Sequence, residues 1–148
     1  MTEKIKKLRE ETGAGIMDVK RALDEAKGDE KKAREILKAR GLEIAQKKSE
    51  RATCAGLIDC YAHLGKMGVM VEAQCETDFV AKTDEFKAFV HEVALQATNS
   101  DVKDVDKLLK EEYFKDPSKT IEDLLHETIS KTGENIKIKR FVKYILGE

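Results

Sequence analysis

The side chains that most often carry out enzyme chemistry are scattered along this sequence without a catalytic spacing. No serine or cysteine nucleophile has an evident base, and the histidines lie far apart, at His63, His91 and His126. The cysteines are odd in number and form no CxxC pair: Cys54, Cys60 and Cys75. We therefore predict a protein that is not an enzyme and that binds neither a metal ion nor a cofactor.

A glycine-rich segment, Thr12–Gly15 (TGAG), resembles at first sight a loop that binds phosphate. Such a loop needs a GK[ST] sequence after it and a strand before it, and neither is present here. A turn between two helices is the better interpretation of this segment.

The segment Thr77–Val80 (TDFV) poses a different question, because an acidic residue directly precedes a large aromatic residue where a strand is expected to end. One interpretation places Phe79 in the core, with Asp78 near the positive end of a helix dipole. The other places Phe79 in a short separate turn before Thr83, from which it projects as a wedge towards a partner. The residues alone leave both interpretations open.

Composition limits the classes of partner. The chain has 28 Lys and Arg against 29 Asp and Glu, so it has no general positive field for a phosphate backbone, and we expect no direct nucleic-acid binding. No apolar run is long enough to span a bilayer, and the N-terminus lacks the apolar core of a signal peptide. These features predict a soluble cytoplasmic protein.

Residues 1–41 have apolar side chains at helical spacing in three short stretches, which predicts a three-helix bundle. Glycines explain the interruptions, at TGAG, at Gly28-Asp29 and at Gly41, where we expect the third helix to end. A bundle this small is marginally stable alone and is typical of a binding appendage. Residues 42–53 are polar and basic, and they predict a helical or semi-rigid linker.

From residue 54 to residue 148 the pattern changes. Strand-like alternation places one set of residues on a buried face: Val69, Val71, Ala73 and Cys75. A weaker strand, GLIDCYAHL, precedes it, and Gly65–Gly68 suits the hairpin turn between the two.

Helical spacing then appears in an apolar stripe from Phe86 to Ala97, with Thr83 as its N-cap. A short helix is expected within Asp104–Phe114. A further helix opens with a capping box at Thr120 and Asp123, and it ends near Gly133. Alternation over Ile136–Leu146 predicts a last strand. The fold class is therefore α+β, with a small antiparallel sheet covered on one face by helices.

Four segments in one order resemble the family of bacterial elongation factor Ts, the guanine-nucleotide exchange factors for elongation factor Tu. The segments are TGAGIMDVKRAL, GLIDCYAHLGKMGVMVEAQCETDFVAKTDEF, DPSKTIEDLL and GENIKIKRFVKYILGE, and together they cover nearly the whole chain. The resemblance implies a short form of the family. It implies an N-terminal three-helix domain similar to ubiquitin-associated domains, then a linker and an α+β core.

The resemblance also implies a mechanism. In the family the TDFV turn intrudes into the nucleotide-binding domain of elongation factor Tu. By similarity, Phe79 wedges between partner helices, with Asp78 beside it and with Thr77 and Val80 framing the turn. The wedge disturbs the site of the magnesium ion and the phosphates, so GDP leaves and GTP enters.

Two further contacts are expected. We expect the N-terminal bundle to dock on the nucleotide-binding domain of the partner through small and adaptable residues, namely Thr12, Gly13, Ala14, Gly15, Ile16 and Met17. The hairpin around His63 is a second expected contact, although a solvated loop histidine is its plainer interpretation.

We also expect a homodimer. Long family members carry a second copy of the core module and a helical-hairpin insertion, and neither fits in this sequence. The strand Ile136–Leu146 offers apolar residues, while Phe141 and Ile145 sit among lysines on its other side. Two copies packed sheet to sheet would bury that surface, with Phe79 supplied by one subunit and the His63 hairpin by the other.

The alternative to an exchange factor is a helical adaptor without exchange activity that binds peptides or ubiquitin-like surfaces.

Overall fold

The computed structural model describes all residues, 1–148, and contains seven helices and five strands. Three helices come first: α1 (Thr2–Thr12), α2 (Ile16–Glu25) and α3 (Glu30–Lys48). The rest of the chain contains both strands and helices, in the order β1 (Ala55–His63), β2 (Met67–Cys75), α4 (Asp78–Ala81), α5 (Asp84–Thr98), α6 (Val105–Lys110), β3 (Glu112–Tyr113), β4 (Asp116–Thr120), α7 (Ile121–Thr132) and β5 (Ile136–Ile145). This is the α+β class that the sequence predicts.

The first three helices form a bundle around a small apolar core of their own, made of Leu8, Val19, Ala22, Leu23, Ala26, Ala33 and Leu37. Its turns follow the local rules of helix capping. Gly13 adopts the left-handed conformation after α1, and its N–H donates to Arg9 O at 2.8 Å. The carboxylate of Asp29 caps α3 by accepting from the N–H groups of Lys31 and Lys32.

The prediction that Gly41 ends the third helix is wrong, because α3 continues to Lys48. Residues beyond Gly41 are good helix formers, and Ala45 is buried in the core of the second half of the chain. Gly41 lies where α3 passes α7, and a Cβ added there would come within 3.5 Å of Ser130 Oγ. Tertiary packing therefore compensates for the weak helix propensity of this glycine.

Helix α3 also anchors the bundle to the second half of the chain. Lys48 Nζ donates to Gly133 O at 2.7 Å, and Asn135 Nδ2 donates to Arg51 O at 2.8 Å. Residues 42–48 of the predicted linker are thus helical, and the segment after them is held by hydrogen bonds.

The main sheet has three antiparallel strands in the order β1–β2–β5. Strand β2 is central, and its predicted inward residues are all buried: Val69, Val71, Ala73 and Cys75. The hairpin between β1 and β2 turns at residues 64–66, where Leu64 and Gly65 both have positive φ. The helices cover one face of this sheet. The apolar stripe of α5 packs against it, with Phe86, Val90 and Val93 fully or almost fully buried.

Strand β5 does not keep the single alternation that the sequence suggests. Its pairing with β2 contains a β-bulge, so Ala73 pairs with Ile138 while Glu72 pairs with Arg140. Lys139 is the extra residue. One inserted residue reverses which side chains face each side of a sheet, because the side-chain period of a strand is two.

The apolar side chains in the two halves of β5 consequently lie on opposite faces of the sheet. Ile136 and Ile138 are buried under the helices, whereas Val142 and Tyr144 are exposed on the open face. Phe141 packs against the same helix-covered core as Ile136 and Ile138. The expectation that Phe141 lies on the other side of the strand from its apolar residues is therefore wrong.

The capping box at Thr120 and Asp123 is present, and α7 ends at Gly133, as predicted. Gly133 adopts the left-handed conformation. The short helix expected within Asp104–Phe114 is α6. The β3–β4 hairpin after it was not predicted, because these strands are short and β4 contains Pro117.

None of the helices combines the length and the apolar composition needed to cross a membrane.

Candidate functional site

The TDFV turn, residues 77–80, joins the end of β2 to the layer of helices and presents Phe79 to solvent. The side chain of Phe79 is 81% exposed, whereas its neighbour Val80 is 4% exposed. One turn of helix, α4, produces this contrast by directing Val80 and Ala81 into the core and Phe79 away from it. Phe79 is therefore not a core residue, and Asp78 is exposed beside it.

Two threonines fix the backbone of this turn. The hydroxyl of Thr77 accepts a hydrogen bond from Val80 N–H at 3.3 Å, and Thr77 O accepts from Ala81 N–H at 3.2 Å. Six residues later Thr83 repeats the arrangement, because its hydroxyl accepts from Phe86 N–H at the start of α5. An N-cap interaction is worth about 1 kcal/mol, and here two of them act within seven residues.

Glu134 is the residue of this site that the sequence did not indicate. It lies in the loop between α7 and β5, and its carboxylate accepts from Thr77 N–H at 2.9 Å and from Thr77 Oγ1–H at 2.7 Å. It also accepts from Glu76 N–H at 3.1 Å. No periodicity or motif marks such a residue. The signals in the sequence are the glycine before it, which indicates that the chain turns sharply there, and its place in the segment GENIKIKRFVKYILGE that resembles the family.

Cys75 also contacts the TDFV turn through a hydrogen bond. Its Sγ–H donates to Thr77 O at 3.2 Å, and it is fully buried at the end of β2. Burial raises the pKa of the Cys75 thiol, and the nearby carboxylate of Glu134 raises it further. A thiol held in its neutral form is a structural group and a poor nucleophile.

The residues expected to dock on a partner lie at the α1–α2 turn. Gly13 and Gly15 flank it, and Thr12 Oγ1 donates to Leu8 O while accepting from Ala14 N–H. After this turn, Ile16 and Met17 are 53% and 60% exposed. Two large apolar side chains in succession at the surface are the feature of the bundle that best fits a contact with another protein.

The α1–α2 turn lies beside the start of α5. Gly13 and Ile16 line a cleft of about 590 Å³ together with Glu85 of α5 and Lys131 of α7. The TDFV turn leads directly into α5, so the docking residues and the TDFV turn both adjoin the N-terminal region of this one helix.

His63 lies elsewhere. It ends β1 next to the hairpin turn, is exposed, and its Nδ1 is 3.1 Å from the hydroxyl of Tyr61. Strand β2 runs from this hairpin to Cys75, so nine residues, roughly 25–30 Å of strand, separate the hairpin from the TDFV turn. The structure therefore does not bring His63 together with Phe79 within one chain.

Comparisons with known proteins give a consistent result. The family model described as Elongation factor TS matches residues 76–147, a range that begins one residue before the TDFV turn. Elongation factor Ts of Thermoanaerobacter sp. (strain X514) is 42% identical, over 97% of this chain and 93% of that protein. Elongation factor Ts of Rubrobacter xylanophilus is 43% identical, over 97% of both chains.

These matches identify the chain as an elongation factor. Within that class it belongs to the elongation factor Ts family. The alignments with these two relatives span 190 positions, more than the 148 residues of this chain, so the relatives contain segments that this chain lacks.

The exposure of Phe79 generates a prediction about stability. Phe79→Ala should change the free energy of unfolding by less than about 1 kcal/mol, because almost no contact is lost. Phe86→Ala, which removes a fully buried ring from α5, should cost about 3–5 kcal/mol and serves as the comparison. Urea unfolding followed by circular dichroism measures both. A loss for Phe79→Ala as large as that for Phe86→Ala would show that Phe79 belongs to the core.

Proposed function

We propose that this protein is a translation elongation factor that binds elongation factor Tu carrying GDP and promotes the release of GDP, so that GTP can bind. The observation that carries the proposal is an aromatic side chain, Phe79, that is 81% exposed at the tip of a turn whose backbone is held by hydrogen bonds. Membership of the elongation factor Ts family supports the choice of partner.

The mechanism needs no catalytic group. Phe79 enters between helices of the nucleotide-binding domain of the partner and disturbs the site that holds the magnesium ion and the phosphates. Asp78 contacts the partner beside Phe79, while Thr77 and Val80 hold the turn in shape. Burial of a phenyl ring provides about 2 kcal/mol, which is available only in the partner conformation that accepts the ring.

Thermodynamic linkage explains why such a wedge releases GDP. The protein binds the nucleotide-free partner more tightly than the GDP-bound partner. Each ligand then weakens the binding of the other by the same factor, since coupling between two sites is reciprocal. While Phe79 is bound, the affinity of the partner for GDP is therefore lower.

The N-terminal bundle supplies affinity in this proposal. Ile16 and Met17, with the small residues of the α1–α2 turn, dock on the nucleotide-binding domain of the same partner. The proximity of Gly13 and Ile16 to Glu85 of α5 supports a continuous contact surface with the TDFV turn. The proposed setting is the cytoplasm, and neither nucleic acid nor a membrane takes part.

Exchange activity is predicted to depend on Phe79. Phe79→Ala should lower the maximal rate of GDP release by roughly 30-fold, the factor that corresponds to about 2 kcal/mol. Asp78→Ala should lower it less. Release of a fluorescent GDP analogue from elongation factor Tu measures the rate, and Leu42→Ala, at an exposed apolar position of α3, is the control. If both turn variants release GDP at the rate of the unaltered protein, the TDFV turn is not part of the exchange mechanism. If the unaltered protein binds the partner without accelerating GDP release, the protein is an adaptor without exchange activity.

The docking role predicts a different kinetic effect. Replacing both Ile16 and Met17 by Ser should raise the protein concentration needed for half-maximal GDP release and leave the maximal rate unchanged. The reason is that these exposed residues bind the partner equally before and after GDP release. The same titration measures both quantities, with Leu42→Ser as the matched variant. An unchanged half-maximal concentration would exclude docking through this turn.

A homodimer is the second part of the proposal, with a surface that differs from the sequence-based expectation. The open face of the main sheet presents four partly exposed apolar side chains: Ile58, Met70, Val142 and Tyr144. They come from all three strands, and Cys60, Met70 and Val142 stand in one cross-strand row. Face-to-face packing about a twofold axis would bury the row in both copies. The partner copy would then supply the His63 hairpin that one chain holds far from its own Phe79.

This arrangement predicts the mass in solution. Light scattering at micromolar concentration should give about twice the 16.7 kDa of one chain, and Val142→Glu should give the single-chain mass because it places a charge in the buried row. Leu42→Glu is the matched control, since Leu42 is 42% exposed and Val142 is 43% exposed. A single-chain mass for the unaltered protein would contradict the dimer.

A further inference from the structure

Glu134 accepts three hydrogen bonds at the entrance to the TDFV turn. One carboxylate oxygen accepts from the N–H groups of Glu76 and Thr77, at 3.1 and 2.9 Å, and the other accepts from the Thr77 hydroxyl at 2.7 Å. These bonds join residues more than fifty positions apart in the chain. Hydrogen bonds to an ionised acceptor are roughly twice as strong as those between neutral groups.

The bond to the hydroxyl determines how Thr77 can act as a cap. A threonine hydroxyl has one proton and two lone pairs. Donation of the proton to Glu134 fixes the rotation of the hydroxyl, with the proton directed away from Val80 and a lone pair available to the N–H of Val80, 3.3 Å away. Glu134 therefore selects the hydroxyl orientation that starts the helical turn α4.

Phe79 depends on this cap because its ring has little else to hold it. At 81% exposure the ring makes few contacts, so its direction follows from the backbone of residues 77–81. That backbone is fixed on one side by the burial of Val80 and Ala81 and on the other by Thr77.

Glu134 itself is held in place by its neighbours. Asn135 N–H donates to the Glu76 carboxylate at 2.7 Å, so the end of β2 and the α7–β5 loop bind each other in both directions. The side-chain amide of Asn135 donates to Arg51 O at 2.8 Å. The carboxylate of Glu134 is thus preorganised before any partner binds, as a supporting group of a functional site must be.

We propose that Glu134 is a positioning residue for nucleotide exchange: it orients Thr77 and thereby sets the angle at which Phe79 enters the partner. This inference rests on the proposed function, because it assigns to Glu134 an effect that acts through Phe79. Glu134 itself need not touch the partner.

The first test is Glu134→Gln, which keeps the size of the side chain but removes the charge and one acceptor oxygen. The maximal rate of GDP release from elongation factor Tu should fall roughly tenfold, with little change in the half-maximal concentration. Glu127→Gln is the matched control, since Glu127 is a partly buried carboxylate of α7 that pairs with Lys119 and not with the turn. A normal maximal rate for Glu134→Gln would overturn the inference.

Hydrogen exchange of the free protein separates local positioning from general damage. In Glu134→Gln the amides of Glu76 and Thr77 should exchange faster, while that of Val71 in the centre of β2 should not. Thr77→Val removes the hydroxyl that joins Glu134 to Val80, and it should lower the maximal rate in the same way. Uniformly faster exchange throughout β2 with a normal rate for Thr77→Val would show that Glu134 is only a structural residue.

A double-mutant cycle tests whether the effect passes through Phe79. In the Phe79→Ala background, Glu134→Gln should cause no further loss of maximal rate, because there is no longer a ring to orient. If the two losses multiply, Glu134 acts by another route and the inference is wrong, although the proposed function stands. If Phe79→Ala alone leaves the accelerated GDP release unchanged, the proposed role of Phe79 fails and the inference falls with it. If the unaltered protein does not accelerate GDP release at all, the proposed function itself fails.

Discussion

The packing of α5 on the central strand β2 is the constraint on which the rest of the structure depends. Cys75 ends β2 with its side chain fully buried, and Phe86 begins the buried stripe of α5. The ten intervening residues must carry the chain from the sheet to the helix layer, across about 10 Å. A single helical turn that buries Val80 and Ala81 accomplishes this, and the same geometry directs Phe79 outwards.

An outward phenylalanine on a rigid turn is suited to binding. Exposure forgoes the roughly 1.5–3 kcal/mol that burial of the ring would contribute to folding, and that free energy becomes available when a partner covers it. The turn is held by Thr77, Thr83 and Glu134, so little conformational entropy is lost when the ring enters a partner.

The N-terminal bundle is also fixed to the rest of the chain by buried and hydrogen-bonded contacts. Buried Ala45 and the Asn135–Arg51 hydrogen bond contribute more to this attachment than the exposed ion pair between Lys38 and Asp123.

The open face of the sheet shows how one inserted residue can determine a surface. Without the bulge at Lys139, all of β5 would alternate in one register, and Val142 would lie on the same side as Ile138. With the bulge, the first half of β5 completes the core beneath the helices and the second half supplies Val142 and Tyr144 to the opposite face. The surface to which we assign the dimer is thus a consequence of strand register.

The sequence by itself determined the features that depend on residues a few positions apart. The caps at Asp29, Thr83 and Thr120, the left-handed glycines Gly13 and Gly133, and the stripe of α5 are all local, because a cap or an amphipathic face is specified within one or two helical turns. The residues themselves drew attention to the TDFV turn, and the family resemblance implied an exposed Phe79. The residues alone could not decide between a buried and an exposed Phe79. Only the tertiary structure decided that question. It also decided that α3 continues through Gly41, that β5 contains a bulge and that Glu134 is hydrogen-bonded to Thr77. Each of these depends on contacts between segments far apart in the chain: α3 against α7, β2 against β5, and Glu134 against Thr77, which is 57 residues away.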